Sequence, residues 1–258
     1  MRRGCRAAIP VVWIFNIEGT LDLLNAVTRG LRYEEWISAR KQLLQREKEF
    51  TRVRDQLSQL RRDLPWEKEE KNYVFDGPDG KETLADLFGA MSQLIVYHFM
   101  FDPAWDEGCK LCSFWADNFE RNAIHLQHRD VTLVSVSRAP VDKLARYRTR
   151  MGWTFKWVSS GETYFNFDYQ VSCTLKELTE GRAIYNYVPG NARSDSPGIS
   201  VFFKDPDGQI FHTYSCYARG LDMMNAAYHY LDLTPKGRDE AELPFPMAWV
   251  QRRDSYGA

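Results

Sequence analysis

The chain has 258 residues, and its 34 Lys and Arg are balanced by 35 Asp and Glu, giving a formal net charge of −1. This length is enough to bury a hydrophobic core without disulfide crosslinks. The balanced charge argues against the strongly basic surface by which proteins bind nucleic acid or anionic membranes. No run of about 18 apolar residues occurs, so we expect neither a membrane-spanning helix nor a nucleic-acid or membrane partner.

The five cysteines comprise one close pair, Cys109 and Cys112, and three single residues. This usage is typical of a reduced intracellular protein, so we expect a cytoplasmic location. Arg2 and Arg3 precede a short apolar stretch, but polar residues interrupt it and no small-residue cleavage site follows. We therefore expect residues 1–33 to form a poorly ordered N-terminal extension and not a signal peptide.

Apolar residues at heptad-like spacing predict one long helix over residues 34–66, ended by Pro65. The apolar positions are Trp36, Ala39, Leu43, Phe50, Val53, Leu57, Leu60 and Leu64. Such a stripe has two interpretations, a helix docked on its own domain or the seam of a homodimer. Because Arg46 interrupts the stripe, we expect the docked helix and keep a homodimer as the alternative.

Cys109 and Cys112 stand between a strand-like apolar run, residues 94–100, and an amphipathic helix-like run that continues through Leu126. Two thiols separated by two residues at the first turn of a helix can form a small disulfide. The positive end of the helix stabilises the thiolate that opens such a disulfide. The order strand, Cys-x-x-Cys, helix is the one that a thioredoxin-type redox site requires.

The rest of the chain predicts an α/β fold, because strands alternate with helices before a final hairpin. We expect a thioredoxin-like central sheet flanked by helices over residues 67–235 and a tail over 236–258 that wraps the surface. The predicted elements after the cysteines are a strand at 131–137, a helix from Pro140 capped by Gly152, an insertion at about 153–196, a hairpin at 199–215 and a helix at 221–231.

A set of motifs from about Glu34 onward carries a family resemblance, including SQLIVYHFMFDPAWDEGC, DVTLVSVSRAP, WVSS, PGISVFFKD and FHTYSCYARGLD. Together they resemble an uncharacterised domain-of-unknown-function family of thioredoxin-like proteins regarded as dithiol-disulfide oxidoreductases. The resemblance implies the fold and a redox role for the paired cysteines. It implies no particular substrate.

Within this interpretation Cys109, at the helix start, is the nucleophile and Cys112, one turn deeper, is the resolving thiol. His98 is a candidate base beneath the cysteines, or a hydrogen-bonded core residue. The pair could instead be half of a zinc site or two structural thiols. Because no second pair of ligands has a matching spacing, we expect no metal and no cofactor.

Six further residues are candidates for substrate binding: Trp105, Asp106, Pro197, Ser200, His212 and Arg219. Trp105 and Asp106 precede the cysteines and form the lip of the site. Aligning Gly198-Ile199-Ser200 on the Gly-Ile-Pro of thioredoxins puts Ser200 where their cis-proline faces the disulfide, unless Pro197 fills that place through a shifted loop. His212 and Arg219 could contact a substrate or an anion.

The expected function is thiol-disulfide exchange through a mixed disulfide, with a protein or small-molecule disulfide as substrate and an unidentified reductant as partner. One alternative is a peroxiredoxin-like thiol peroxidase in which Cys109 is oxidised to a sulfenic acid. Another is a non-catalytic thioredoxin-fold binding module. Only disulfide exchange requires both thiols at this spacing.

Overall fold

The computed structural model describes residues 32–119, 121–190 and 193–257. The predicted extension, residues 1–33, therefore lies outside the described residues except for its last two. The chain divides into two compact units, residues 1–59 and residues 60–258.

A helix of 30 residues, α1 (Tyr33–Arg62), accounts for most of what is described before Leu60. Glu34 and Glu35 in its first turn and Arg61 and Arg62 in its last turn complement the helix dipole. All of α1 is described, and no residue in it is buried. The long helix is thus confirmed, whereas its docking on the domain stays a prediction.

The second unit is built on an eight-stranded sheet with the order β1-β10-β9-β4-β5-β6-β2-β3. A separate hairpin is formed by β7 and β8. The strands are β1 (Glu67–Lys68), β2 (Val74–Gly77), β3 (Gly80–Thr83), β4 (Gln93–His98), β5 (Val131–Ser137), β6 (Lys156–Ser159), β7 (Ile184–Tyr185), β8 (Val188–Pro189), β9 (Gly198–Lys204) and β10 (Ile210–Tyr217).

The helices of this unit connect the strands and cover the sheet. They are α2 (Leu84–Leu87), α3 (Lys110–Phe119), α4 (Ala123–Gln127), α5 (Val141–Met151), α6 (Phe165–Asp168), α7 (Leu175–Thr179), a 3-10 helix (Ala218–Met224) and α8 (Ala226–Leu231). Gly152 ends α5 in the left-handed conformation, with φ of 62°, as its C-capping role requires. None of the helices in the described ranges is long and apolar enough to cross a membrane.

The centre of the sheet has the thioredoxin arrangement. Strands β4 and β5 are parallel and are joined through α3 and α4, while the antiparallel hairpin β9–β10 pairs with β4. The order β10-β9-β4-β5 is therefore one parallel crossover next to a hairpin. This confirms the predicted thioredoxin-like α/β fold, with a long N-terminal helix and an insertion before the C-terminal hairpin.

Two hydrophobic cores lie on the two faces of the sheet. One, which includes Tyr97, Cys112 and Ile199, is packed under α3 and α5; the other includes Leu94, Val96 and Phe202. Successive residues of a strand point to opposite faces, so β4 supplies both cores by alternation.

The structure corrects two details of the predicted elements. The amphipathic run from Cys112 to Leu126 is two helices, α3 and α4, separated by a turn that includes Arg121 and Asn122. The residues between β6 and β9 are folded as α6, α7 and the β7–β8 hairpin, although their sequence has little periodicity.

Candidate active site

Backbone hydrogen bonds hold Cys109 at the first turn of α3. The Cys109 amide donates to the carbonyl of Met100, 3.1 Å away, just after β4. The Cys109 carbonyl accepts from the amide of Ser113 at 3.0 Å and from its hydroxyl at 3.0 Å. Cys109 therefore occupies a capping position at the positive end of the helix, where a thiolate is stabilised.

Gly108 fixes the approach of the chain to Cys109. A Cβ atom at this position would lie 2.8 Å from the ring of Phe99 and 2.9 Å from the ring of Tyr147, so any other residue would have to displace a ring or the loop. The Gly108 carbonyl accepts a hydrogen bond from Nη2 of Arg252 at 3.0 Å. Arg252 also donates to the Tyr147 hydroxyl at 2.9 Å and pairs with Glu107 at 2.9 Å. The tail that contains Arg252 is thus part of the site.

The two thiols have different surroundings. Cys109 is half-buried, whereas Cys112 is buried, and both are free thiols. The Cys112 sulfur accepts from the Met100 amide at 3.5 Å and is hydrogen-bonded to the Tyr97 hydroxyl. A hydrogen bond also links the Cys109 and Cys112 side chains. Cys109 is therefore both the more accessible thiol and the one whose thiolate is stabilised, by the start of α3 and by the hydrogen bond from Cys112.

These contacts move the two pKa values in opposite directions. The hydrogen bond from Cys112 lowers the pKa of Cys109 to about 6, with help from backbone amides at the helix start and the positive charge of Arg252. Burial raises the pKa of Cys112 well above its usual value, and the hydrogen bond and charge of Cys109 add to that rise. At neutral pH the pair consequently holds one thiolate, on Cys109, and one thiol, on Cys112.

A cavity of about 310 Å³ adjoins both sulfurs. Its apolar walls come from α3, the 3-10 helix, the loop before β9 and the tail. The residues that line it with the two cysteines are Tyr97, Met100, Leu111, Trp115, Pro197, Ala218, Leu221 and Met247, with Arg193, Arg219 and Asp222 as the charged groups. The site can therefore take up a substrate with an apolar part next to a reactive sulfur.

Tyr185, on β7, connects two loops of this cavity. Its hydroxyl donates to the Pro197 carbonyl at 2.8 Å and accepts from the Ala218 amide at 2.9 Å. Ala218 has a φ of 48°, which is uncommon for a residue other than glycine. The insertion thus fixes the two backbone segments opposite Cys109.

Pro197 and Arg219 line the cysteine cavity, and their roles in substrate binding stay predictions. Arg219 is paired with Asp222 at 2.9 Å. Trp105 packs against the core on the cysteine side, and its carbonyl accepts from Lys143 at 3.0 Å. Neither Trp105 nor the exposed Asp106 lines the described cavity. Their role at the lip stays a prediction.

Three predicted site residues lie elsewhere. His98 and Ser200 are on the face of the sheet opposite the cysteines, where His98 stacks on Phe165 and Tyr169. The His98 Nε2 is 2.9 Å from the Ser200 hydroxyl. The placement of His98 beneath the cysteines is wrong because the alternation of β4 directs Tyr97, and not His98, toward them.

Ser200 and His212 belong to one chain of hydrogen bonds behind the sheet. The Ser200 hydroxyl is 2.9 Å from that of Ser215, which is 2.7 Å from Nε2 of His212. Ser200 is fully buried behind the sheet, so the alignment that makes it face the cysteines is corrected, whereas the role of Pro197 in that place stays a prediction. His212 lines another cavity, and its substrate-binding role stays a prediction.

Three further side chains at the site, Tyr97, Tyr185 and Arg252, were not predicted from the sequence. Tyr97 could have been found by testing both faces of β4, since one of them must face the helix that carries the cysteines. The long separations of Tyr185 and Arg252 from the cysteines left no local signal. The tail also buries Val250, so its description as surface wrapping is corrected.

Metal ligands do not cluster in the part of the chain that the structure describes. No group of three or more His, Cys, Asp or Glu residues is arranged there to hold a metal ion. Cys173 and Cys216 are free thiols in the same described ranges.

Comparison with known proteins gives a family and distant structural likenesses. Residues 28–256 match the family of bacterial proteins of unknown function DUF899. No curated protein is similar enough in sequence to match the chain.

Several similar solved structures are peroxiredoxins. A peroxiredoxin Q variant from Xanthomonas campestris is 17% identical, with a TM-score of 0.43, over 64% of this chain and 96% of that one. The peroxidoxin BcpB of Mycobacterium tuberculosis is 14% identical, with a TM-score of 0.41, over 62% of this chain and 95% of that one. A yeast mitochondrial 1-Cys peroxiredoxin is 16% identical, with a TM-score of 0.41, over 66% and 78%.

Proposed function

We propose that this chain, which belongs to the DUF899 family, is a dithiol-disulfide oxidoreductase with Cys109 as nucleophile and Cys112 as resolving thiol. One observation carries the proposal. A half-buried thiol with a pKa of about 6 is hydrogen-bonded to a buried thiol whose pKa is raised. This asymmetry is what sequential attack by two thiols requires.

In the first step the Cys109 thiolate attacks one sulfur of a substrate disulfide, RS–SR′. A bond forms between Cys109 and RS, the S–S bond breaks, and R′S⁻ leaves and takes up a proton from solvent. The cavity beside Cys109 would hold the apolar part of the substrate. The product of this step is a mixed disulfide between Cys109 and RS.

In the second step Cys112 must lose its proton and attack the sulfur of Cys109. Once Cys109 is in the mixed disulfide it is uncharged, which removes one cause of the raised pKa of Cys112. The Tyr97 hydroxyl and the Met100 amide remain as hydrogen-bond donors to the Cys112 thiolate. RS⁻ leaves with the proton from Cys112, and the Cys109–Cys112 disulfide forms.

An external dithiol completes the cycle by reducing the Cys109–Cys112 disulfide, so the substrate gains two electrons and that dithiol loses them. The proposed substrate is a protein or small-molecule disulfide, and no cofactor takes part. A reduced cytoplasm is the compartment in which such a cycle would run.

The test is reduction of insulin disulfides by dithiothreitol with the purified full chain as catalyst. Hydrogen peroxide consumption is followed in parallel with the same reductant. We expect catalysed insulin reduction that Cys109→Ser abolishes and that Cys173→Ser, at a thiol outside the site, leaves unchanged. Peroxide consumption without insulin reduction would replace the proposal with a thiol peroxidase, and no activity in either assay would favour a binding module.

A further inference from the structure

The apolar stripe of α1 is exposed along its length. It falls on two positions of a seven-residue repeat, the first at Trp36, Leu43, Phe50 and Leu57 and the second at Ala39, Arg46, Val53 and Leu60. The six large apolar side chains of this stripe are between 46% and 67% exposed. A long exposed apolar stripe on a regular helix, interrupted here only at Arg46, is typical of a surface for protein interaction.

The spacing of the stripe indicates what covers it. A helix that packs on a globular domain presents a broad apolar face with a period of 3.6 residues. The stripe of α1 keeps a period of 3.5 residues through four repeats, as in the narrow seam of a coiled coil. The partner is therefore another helix with the same repeat, which a second copy of this chain supplies.

The charges beside the seam specify how two copies align. The first seam position of each repeat is preceded by a flanking residue. In a parallel pair, a flanking residue with number i faces residue i+5 of the other helix. Glu35 then faces Arg40, and Glu49 faces Arg54. The two remaining pairs each contain one glutamine, Gln42 or Gln56, so no like charges meet.

Arg46 is compatible with such a seam. Its guanidinium pairs with Glu49 of the same helix at 2.8 Å, so its charge is balanced without a partner chain. A single polar residue at a seam position fixes register and oligomeric state at some cost in stability. The sequence-based objection to a dimer, which rested on Arg46, is thereby reduced.

We propose that α1 (Tyr33–Arg62) of two copies of this chain forms a parallel, two-stranded coiled coil. The proposal concerns α1 alone and does not depend on the redox activity of the cysteines.

The first test is sedimentation equilibrium of the full chain under reducing conditions. We expect the wild type to be a dimer and Phe50→Asp to raise the dimer dissociation constant at least about 100-fold, because it places two unpaired carboxylates in the seam. Lys48→Asp adds the same carboxylate on the outer face of the helix and should change the constant less than about twofold. A wild type that is monomeric at about 100 μM, or a dimer that survives Phe50→Asp, would overturn the proposal.

The second test decides orientation and uses surface charges only. Glu49→Arg should weaken the dimer about five- to tenfold, because it faces Arg54 of the other copy twice per dimer and also removes the partner of Arg46 on its own helix. Adding Arg54→Glu should restore part of the lost affinity, because the charge pair between copies returns in reverse while Arg46 still lacks Glu49. Since residues 49 and 54 are not neighbours on one helix, restoration has to come from pairing between copies. A double variant that dimerises as weakly as Glu49→Arg would exclude the parallel arrangement. This charge-swap test remains decisive if circular dichroism shows that Phe50→Asp does not fold.

Discussion

Tyr97 and His98 are consecutive on β4 and serve opposite sides of the sheet. The Tyr97 hydroxyl is hydrogen-bonded to Cys112, whereas the His98 imidazole is hydrogen-bonded to Ser200 behind the sheet. Burial and the nearby Cys112 raise the pKa of Tyr97 well above its usual value, so the phenol stays protonated and can donate to sulfur. Tyr97 is therefore the side chain that can stabilise the Cys112 thiolate.

Tyr97→Phe should lengthen the life of the mixed disulfide. The change keeps the ring and removes one hydrogen bond to the resolving thiolate, which corresponds to a rate loss of about tenfold or more. The measurement is single-turnover quenching followed by intact-mass analysis of the Cys109 adduct. Tyr164→Phe, at an exposed ring, is the control. An unchanged lifetime would remove Tyr97 from the resolution step.

His98→Gln should reduce the acid sensitivity of the fold and leave the reactivity of Cys109 intact. Burial lowers the pKa of His98 from 6.5 to about 3. In the unfolded chain His98 is protonated below about pH 6.5, whereas in the folded chain it stays neutral down to about pH 3. The free energy of unfolding therefore falls as the pH drops from 6.5 to 3. The slope from this group is up to about 1.4 kcal/mol per pH unit.

Denaturant unfolding at a series of pH values measures this slope. His229→Gln, at an exposed position, should keep the wild-type slope. If His98→Gln also keeps the wild-type slope, His98 is not the source of the acid sensitivity. If the variant abolishes alkylation of Cys109, His98 acts on the cysteine site after all.

The two cysteines should give different trapping behaviour. Cys109→Ser removes the accessible thiolate and should form no adduct with a substrate disulfide. Cys112→Ser should accumulate a stable mixed disulfide at Cys109, because the second attack is lost. Non-reducing electrophoresis and peptide mapping distinguish the two, with Cys173→Ser resembling the wild type. Equal trapping by both variants would contradict the assigned order of attack.

The alkylation rate of Cys109 should rise with pH around a midpoint near 6. The thiol is protonated and slow below this pH and is a thiolate above it, because hydrogen bonding from Cys112 lowers its pKa to about 6. Arg252→Gln removes a positive charge that favours the thiolate, so the midpoint should move upward. Iodoacetamide kinetics on a Cys173→Ser background, with the alkylated Cys109 peptide quantified by mass spectrometry, measure this midpoint. A midpoint near that of a free thiol, about 8.5, would contradict the contacts described here.

Gly108→Ala should displace Cys109. The added Cβ would lie 2.8 Å from the ring of Phe99 and 2.9 Å from that of Tyr147, which is closer than packed atoms tolerate. We expect a loss of about 1 to 3 kcal/mol in unfolding free energy and a slower thiol. Gly181→Ala has no atom within 4 Å of the new Cβ and a φ of 66°, so it should cost stability only. Normal thiol kinetics in Gly108→Ala would show that the loop can relax.

Local patterns in the sequence predicted the fold well. The strand before Cys109, the helix start after it and the Gly152 cap are decided by neighbouring residues, so periodicity and capping rules identify them. The start of α2 is decided just as locally, since Thr83 accepts from the Asp86 amide in a capping box.

The surroundings of the cysteines were less predictable because they depend on tertiary contacts. Alternation along β4 separates Tyr97 from His98 but does not state which face receives α3. The Tyr185 hydroxyl reaches Pro197 and Ala218 from an insertion with no periodic pattern. Such contacts are decided by packing between distant segments, and a single sequence carries no local record of them.

The hydrogen bond from Arg252 to Gly108 spans 144 residues of sequence. During synthesis on a ribosome, the segment with both cysteines emerges well before Arg252 has been translated. Until then, Cys109 lacks the positive charge that favours its thiolate and the donor that holds its loop. The nascent chain would therefore carry a less reactive Cys109, and its full nucleophilicity would arise only when the Arg252 segment has folded onto the domain.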